Sequence, residues 1–173
     1  ASLQLLPVAT RQPVGSPRAM AALWWCYVPG VALLTTAMAL GQPWLLAAGA
    51  AVVVLALACY ALLLARNLIA AKGMALVVVH GWAALACLGV LLASGLSLAA
   101  AYHGHGMFER TSALGLHVAF AGYGFMGLLV LGFSYILVPM FALAESPAQR
   151  PAWASVVTAI IALVLAALAS LGT

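Results

Sequence analysis

Charge is what this sequence has least of. Only 5% of its 173 residues are Asp, Glu, Lys or Arg, whereas 68% are hydrophobic; ordinary globular chains carry roughly 25% charged residues. No soluble core of this length could hide that much apolar surface, so composition alone assigns an integral membrane protein. The two acidic residues, Glu109 and Glu145, fall on opposite sides of the membrane in the topology derived below, which leaves no carboxylate pair for acid–base work. Phosphate-cradling glycine loops and Ser/His/Asp nucleophile sets are absent too, so hydrolysis and phosphoryl transfer have no candidate residues. The six basic residues are scattered between apolar runs rather than clustered, which makes the net charge of +4 a topology signal and not a nucleic-acid footprint. Cysteine is sparse: Cys26, Cys59 and Cys87 sit singly in three apolar segments with no CxxC or CxxCH. That excludes a CxxC redox pair and covalent c-type haem attachment, and each thiol reads as a small buried side chain.

What is present is a succession of long apolar runs. Residues 1–18 hold Pro7, Pro13 and Pro17 with Arg11 and Arg18 and lack the contiguous apolar core of a secretory signal, predicting a short, irregular, basic arm. Spans are predicted over about 19–40, 43–65, 74–100, 113–143 and 152–172, each meeting the roughly 20 residues needed to cross the hydrocarbon core. Trp24, Trp25 and Tyr27 open the first span, where amphipathic rings favour the interface, and Pro29-Gly30 predicts a kink there. Gly41-Gln42-Pro43 is the whole break before the second span, so the first two helices must be neighbours in a hairpin. Residues 102–112 form a polar interruption before the fourth span, and residues 144–151 form a loop before the fifth.

With five spans and the N-terminus inside, Arg11, Arg18, Arg66, Lys72 and Arg150 are cytoplasmic and only Arg110 is external, a strong positive-inside bias. The expected fold is therefore an all-α antiparallel bundle of five transmembrane helices in a single domain, residues 19–173, in a membrane of the bacterial inner type. An odd number of spans ending in the apolar LASLGT leads us to expect that the polypeptide continues past Thr173. An open bundle edge implies a homo-oligomer or a partner membrane subunit.

The four histidines carry the candidate chemistry. An imidazole within a bilayer needs a partner, because an unsatisfied polar group in hydrocarbon costs several kcal/mol. His80 and His117 lie near opposite ends of antiparallel neighbours, about 25 Å apart or more from the rise per residue, and cannot share one centre. Beneath His117 the fourth span stacks Ala121, Gly124, Leu128, Leu131 and Tyr135 on one face. Small residues there leave a groove that suits either a flat macrocycle or a close helix neighbour. His80 heads a face continuing through Ala84, Cys87, Leu91 and Ser94; it is a second haem ligand or a hydrogen-bonded structural histidine. His103, His105 and Met107 in the external HGHGM loop offer two imidazoles and a thioether, a set that suits copper, or else make an interfacial turn.

The fourth span, from His117 through Gly132-Phe133-Ser134-Tyr135-Ile136-Leu137-Val138-Pro139, resembles the second helix of subunit I in the haem-copper oxidase superfamily. That helix enters from the external side with a haem-ligating histidine and ends in a Gly-Phe-Gly-Asn-x-x-Val-Pro pattern. The resemblance implies that His117 ligates a b-type haem near the outer face, with Ala121 and Gly124 beside it. The His-to-Gly-Phe spacing is one residue shorter here, which turns the imidazole by about 100° on an unbroken helix. The oxidases' copper ligands lie on later helices without counterparts in this chain, so no complete oxygen-reducing site is implied. The resemblance points instead to a haem protein of electron transfer, or part of a larger respiratory-type complex. Two other readings stand beside it: a copper-handling or small-solute transport component using HGHGM, and a structural subunit of a membrane complex.

Overall fold

Helix boundaries follow the breaking and capping residues. In the computed structural model, which describes residues 2–13, 15–145 and 148–172, the described residues form six helices and no strand. They are α1 (Ser2–Thr10), α2 (Pro17–Leu40), α3 (Pro43–Ile69), α4 (Ala75–Ala101), α5 (Arg110–Ala142) and α6 (Gln149–Leu171). The last five are long and apolar enough to cross a membrane, which fits an integral membrane protein. Pro17 and Pro43 stand in first turns, where a missing N–H leaves no bond unmade. The Ser16 hydroxyl accepts from the Ala19 N–H at 3.2 Å and caps α2. Ser146 and Pro147 of the loop expected before the last span lie outside the described residues.

The α2–α3 hairpin has the two-residue connection that the sequence predicts. Gly41 takes φ +62°, a left-handed cap that glycine adopts without strain. A Cβ added at Gly49 would lie 2.7 Å from the Leu34 nitrogen, and one at Gly30 would lie 2.8 Å from a Val52 methyl. Missing side chains thus let the two backbones approach closely. α2 runs on through Pro29.

The arm expected to be irregular is instead helical over α1 and packed into the fold. Its prolines signal a break, but Leu3, Leu6, Ala9 and Thr10 share one buried face, and Leu3, Leu6 and Ala9 join Leu64, Leu68 and Val77 in the core cluster. Burial outweighs the local preference. Backbone bonds then tie the arm down: Lys72 N–H to the Thr10 carbonyl (3.1 Å) and Met74 N–H to the Ala9 carbonyl (3.2 Å). The buried Asn67 amide donates to the carbonyls of Gln12 (3.0 Å) and Pro13 (3.4 Å). A side chain at Gly73 would collide with the Ala9 carbonyl.

α4 is the most buried of the five spans and packs against α1, α3, α5 and α6. Most of its buried positions, Val77, His80, Ala84, Cys87, Leu91, Ser94 and Ser97, follow the three-and-four spacing of one helix face, with Gly81 and Leu88 beside them. α5 starts three residues before the expected boundary, because the Glu109 carboxylate accepts from the N–H groups of Thr111 (3.0 Å) and Ser112 (3.1 Å) and caps the helix.

Within α5, residues Phe120–Gly127 form a π-helical stretch. Its consequence is visible in the buried stripe Leu116, Phe120, Gly124, Leu128 and Gly132, spaced by four throughout. In a regular α-helix each four-residue step overshoots a full turn by about 40°, and the stripe would wander off the interface. The wider π turn holds more residues and brings the stripe back into line against α4. The 100° displacement argued for an unbroken α-helix therefore does not carry over to this one.

Candidate functional site

The seam between α4 and α5 is assembled from reciprocal contacts. A Cβ at Gly132 would lie 2.8 Å from the His80 Cβ, one at Gly124 would lie 2.8 Å from the Cys87 Cβ, and one at Gly95 would lie 2.9 Å from the His117 Cε1. Positions 80, 87 and 95 thus meet 132, 124 and 117, with numbers rising on one helix as they fall on the other. Each histidine beds on a glycine of the opposite helix, and each glycine lies fifteen positions beyond its own helix's histidine. Fifteen residues at 1.5 Å separate the two imidazoles by about 22 Å along the seam.

His80 is 0% exposed. Its Nδ1 lies 2.8 Å from the Leu76 carbonyl oxygen one turn earlier. A carbonyl only accepts, so Nδ1 carries the proton, and in the neutral ring Nε2 presents a bare lone pair. That Nε2 is buried and has no hydrogen-bond partner among the described residues. The Tyr135 ring stands 5.5 Å away, centroid to centroid and tilted by 54°. Tyr135 continues the polar chain away from the histidine: its hydroxyl lies 2.7 Å from the Ser155 hydroxyl of α6, which itself donates to the Ala152 carbonyl at 2.7 Å. Ser155 has one proton and gives it to the backbone, so Tyr135 is the donor in their bond.

His117 is half-buried, and its Nδ1 stands 3.5 Å from the Ser94 hydroxyl oxygen, at the outer limit of a hydrogen bond. Ser94 donates to the carbonyls of Val90 (2.9 Å) and Leu91 (3.1 Å), leaving its oxygen free to accept from the imidazole. His117 is thus oriented loosely where His80 is held firmly. Gly124 is covered by Cys87, whose Sγ would lie 3.0 Å from an added Cβ. Ala121 is half-buried against the core cluster. The small residues stacked beneath His117 therefore admit a neighbouring helix.

The loop between α4 and α5 places His103, His105 and Met107 in the open, Met107 with 65% of its surface exposed. Its backbone is nonetheless fixed, since the buried Ser97 hydroxyl accepts from the N–H groups of both Met107 and Phe108 at 3.0 Å. The His103 ring meets Trp44 edge-on at 6.0 Å. Among the described residues no group of three or more His, Cys, Asp or Glu side chains converges to hold a metal ion.

Sequence reasoning finds His80, His117, Gly132 and the face below His80, but misses Gly95, Ser97, the pairing of Gly132 with His80 and the Tyr135–Ser155 bond. The recurrence of His and Gly fifteen apart, His80 with Gly95 and His117 with Gly132, is the signal that could have found Gly95 and that pairing. No protein-family model, curated protein or solved structure matches the chain.

Proposed function

We propose that this chain is a haem-binding, oxidase-like helical subunit that works in electron transfer, with the α4–α5 seam as its ligand-bearing element. The observation that carries the reading is His80: a fully buried imidazole with Nδ1–H engaged by the Leu76 carbonyl and Nε2 bare and unpartnered. A ligating histidine takes this form, because the bond at one nitrogen fixes the ring and raises the donor strength of the other. An orphaned polar atom in a membrane core otherwise costs free energy with no return, and intramembrane ionisable residues mark function more often than structure.

His80 has the ring state of an axial ligand and leads, and a macrocycle would reach its buried Nε2 only where α5 parts from α4. His117, half-buried and near the other end of the same seam, is the second candidate and the one implied by the oxidase resemblance. Iron held there supplies a one-electron couple whose potential is set by ligand, hydrogen bonding and burial. The chain's own contribution is to hold the imidazole rigidly through Leu76 and Gly132 and to keep water from it.

In this reading the five spans run up and down as an antiparallel bundle with the N-terminus cytoplasmic, in a bacterial inner membrane. His80 then lies toward the cytoplasmic side and His117 toward the external side, and a partner subunit or second copy supplies further ligands. The test is the reduced-minus-oxidised visible spectrum of the purified chain with His80→Ala and His117→Ala. A b-type α-band lost with His80→Ala is expected. No haem in the wild-type chain, or an α-band indifferent to both substitutions, overturns the reading.

A further inference from the structure

One wide apolar groove in the molecule is lined by no histidine. It holds about 1020 Å³ between α2 and α3 on one side and α5 on the other, floored by Leu3, Gln4 and Leu5 of α1. Among the described residues α2 packs chiefly on α3, so the hairpin forms one wall facing α5. Trp24, Leu57, Phe125 and Phe133 are among the apolar side chains facing the space.

Its dimensions and its charged edge point to one occupant. On α5 the lining runs from Phe125 to Val138, thirteen residues or about 20 Å at the helical rise, somewhat more than one leaflet of a ~30 Å hydrocarbon core. The volume over that length gives a mean section of about 50 Å², and a hydrocarbon chain whose carbons keep about 4 Å from their neighbours occupies roughly 20 Å². Two extended chains fill the groove, whereas a transmembrane helix about 10 Å across does not enter it.

The α1 edge is basic. Arg11 follows α1, Arg18 stands two residues before the lining residue Met20, and Arg66 adjoins Asn67, whose amide holds residues 12 and 13. Lys72 bonds the end of α1 through its backbone. All four cationic side chains are exposed, and Glu145 is the one acid in the segments at this end.

We propose that the groove is a binding site for an anionic diacyl phospholipid, its two acyl chains between α2 and α5 and its phosphate among Arg11, Arg18, Arg66 and Lys72. The bilayer then completes a wall that the chain does not build itself. This inference stands independently of the haem reading.

The test uses the full chain, delipidated in detergent and re-exposed to phosphatidylglycerol or phosphatidylcholine of equal chain length, with bound lipid counted by native mass spectrometry. One phosphatidylglycerol per chain, retained in preference to phosphatidylcholine, is expected. Arg18→Gln with Arg66→Gln, both at exposed positions that leave the fold intact, should weaken phosphatidylglycerol retention about thirty-fold at roughly 1 kcal/mol per cation and leave phosphatidylcholine unchanged. Ala56→Trp, which fills the groove, should abolish the specific lipid. Equal retention of the two lipids, retention unaffected by the arginine pair, or a second copy of the chain displacing lipid as concentration rises would each overturn the proposal.

Discussion

Gly132→Ala is the sharpest test of the α4–α5 seam. The new methyl would sit 2.8 Å from the His80 Cβ and 3.3 Å from its Cγ, against an optimal carbon separation of about 3.5–4.0 Å. The obstructing atom is the root of the imidazole and not a flexible tip, so rotation cannot clear it, and the helices must part by about 1 Å. Parting them also loosens Cys87 from Gly124 and His117 from Gly95, where an added Cβ would fall equally close, at 2.8 and 2.9 Å. A radial gap of that size forfeits a quarter to a half of each contact's attraction, and overpacking of this kind costs about 1–3 kcal/mol. Gly89→Ala is the matched control, since an added Cβ there meets nothing within 4 Å and gains at most about 1 kcal/mol of helix propensity. Reversible unfolding in mixed micelles, followed by tryptophan fluorescence, measures both. Wild-type stability in Gly132→Ala, or equal losses in the two variants, would refute the packing argument.

Other consequences follow from single bonds. A double-mutant cycle on Tyr135→Phe and Ser155→Ala should give a coupling near 0.6 kcal/mol and no more than about 1.7; zero coupling would place the 2.7 Å hydroxyl pair outside the energetics. The N–H groups of Ser112 and Thr111 hold the Glu109 carboxyl below the usual carboxylate range. Because its folded value is depressed, Glu109 stabilises the start of α5 above its unfolded value of about 4.3 and loses that contribution as pH falls further through the folded one. Glu109→Gln should therefore remove part of the acid sensitivity in a pH titration of the unfolding midpoint, and an unchanged profile would contradict the cap. Replacing His103, His105 and Met107 together by Ala should leave any haem spectrum intact, since all three side chains are exposed; loss of the spectrum would return the loop to the ligand set.

The five apolar runs were legible because a bilayer demands continuous hydrophobic length, and length survives without any knowledge of packing. The Pro-Gly punctuation around Gly41 was legible for the same local reason. The helix over Ser2–Thr10 was not, because Pro7 and Pro13 argue against it locally and the burial of Leu3 and Leu6 that stabilises it comes from α3 and α4. The reach of α5 back to Arg110 rests on a cap by Glu109, a residue that reads from sequence as loop. Both intramembrane histidines stood out as ionisable groups in apolar runs, yet their ranking did not. Sequence favours His117 through its Gly-Phe and Val-Pro company, while the hydrogen bond that prepares His80 depends on a carbonyl four residues away, and the missing partner at its Nε2 depends on how α5 closes over it. The π stretch in α5 was hidden as well, because a stripe spaced by four is recognisable only once α5 lies against α4.

The haem reading turns on the state of one ring, that of His80. Nitrogen-15 NMR of the haem-free chain labelled at histidine, compared with His80→Ala, reads that state directly. A resonance pair is expected, lost in the variant, with the proton on Nδ1 and a bare Nε2. A His80 that carries its proton on Nε2, with Nδ1 unprotonated, would contradict the reading.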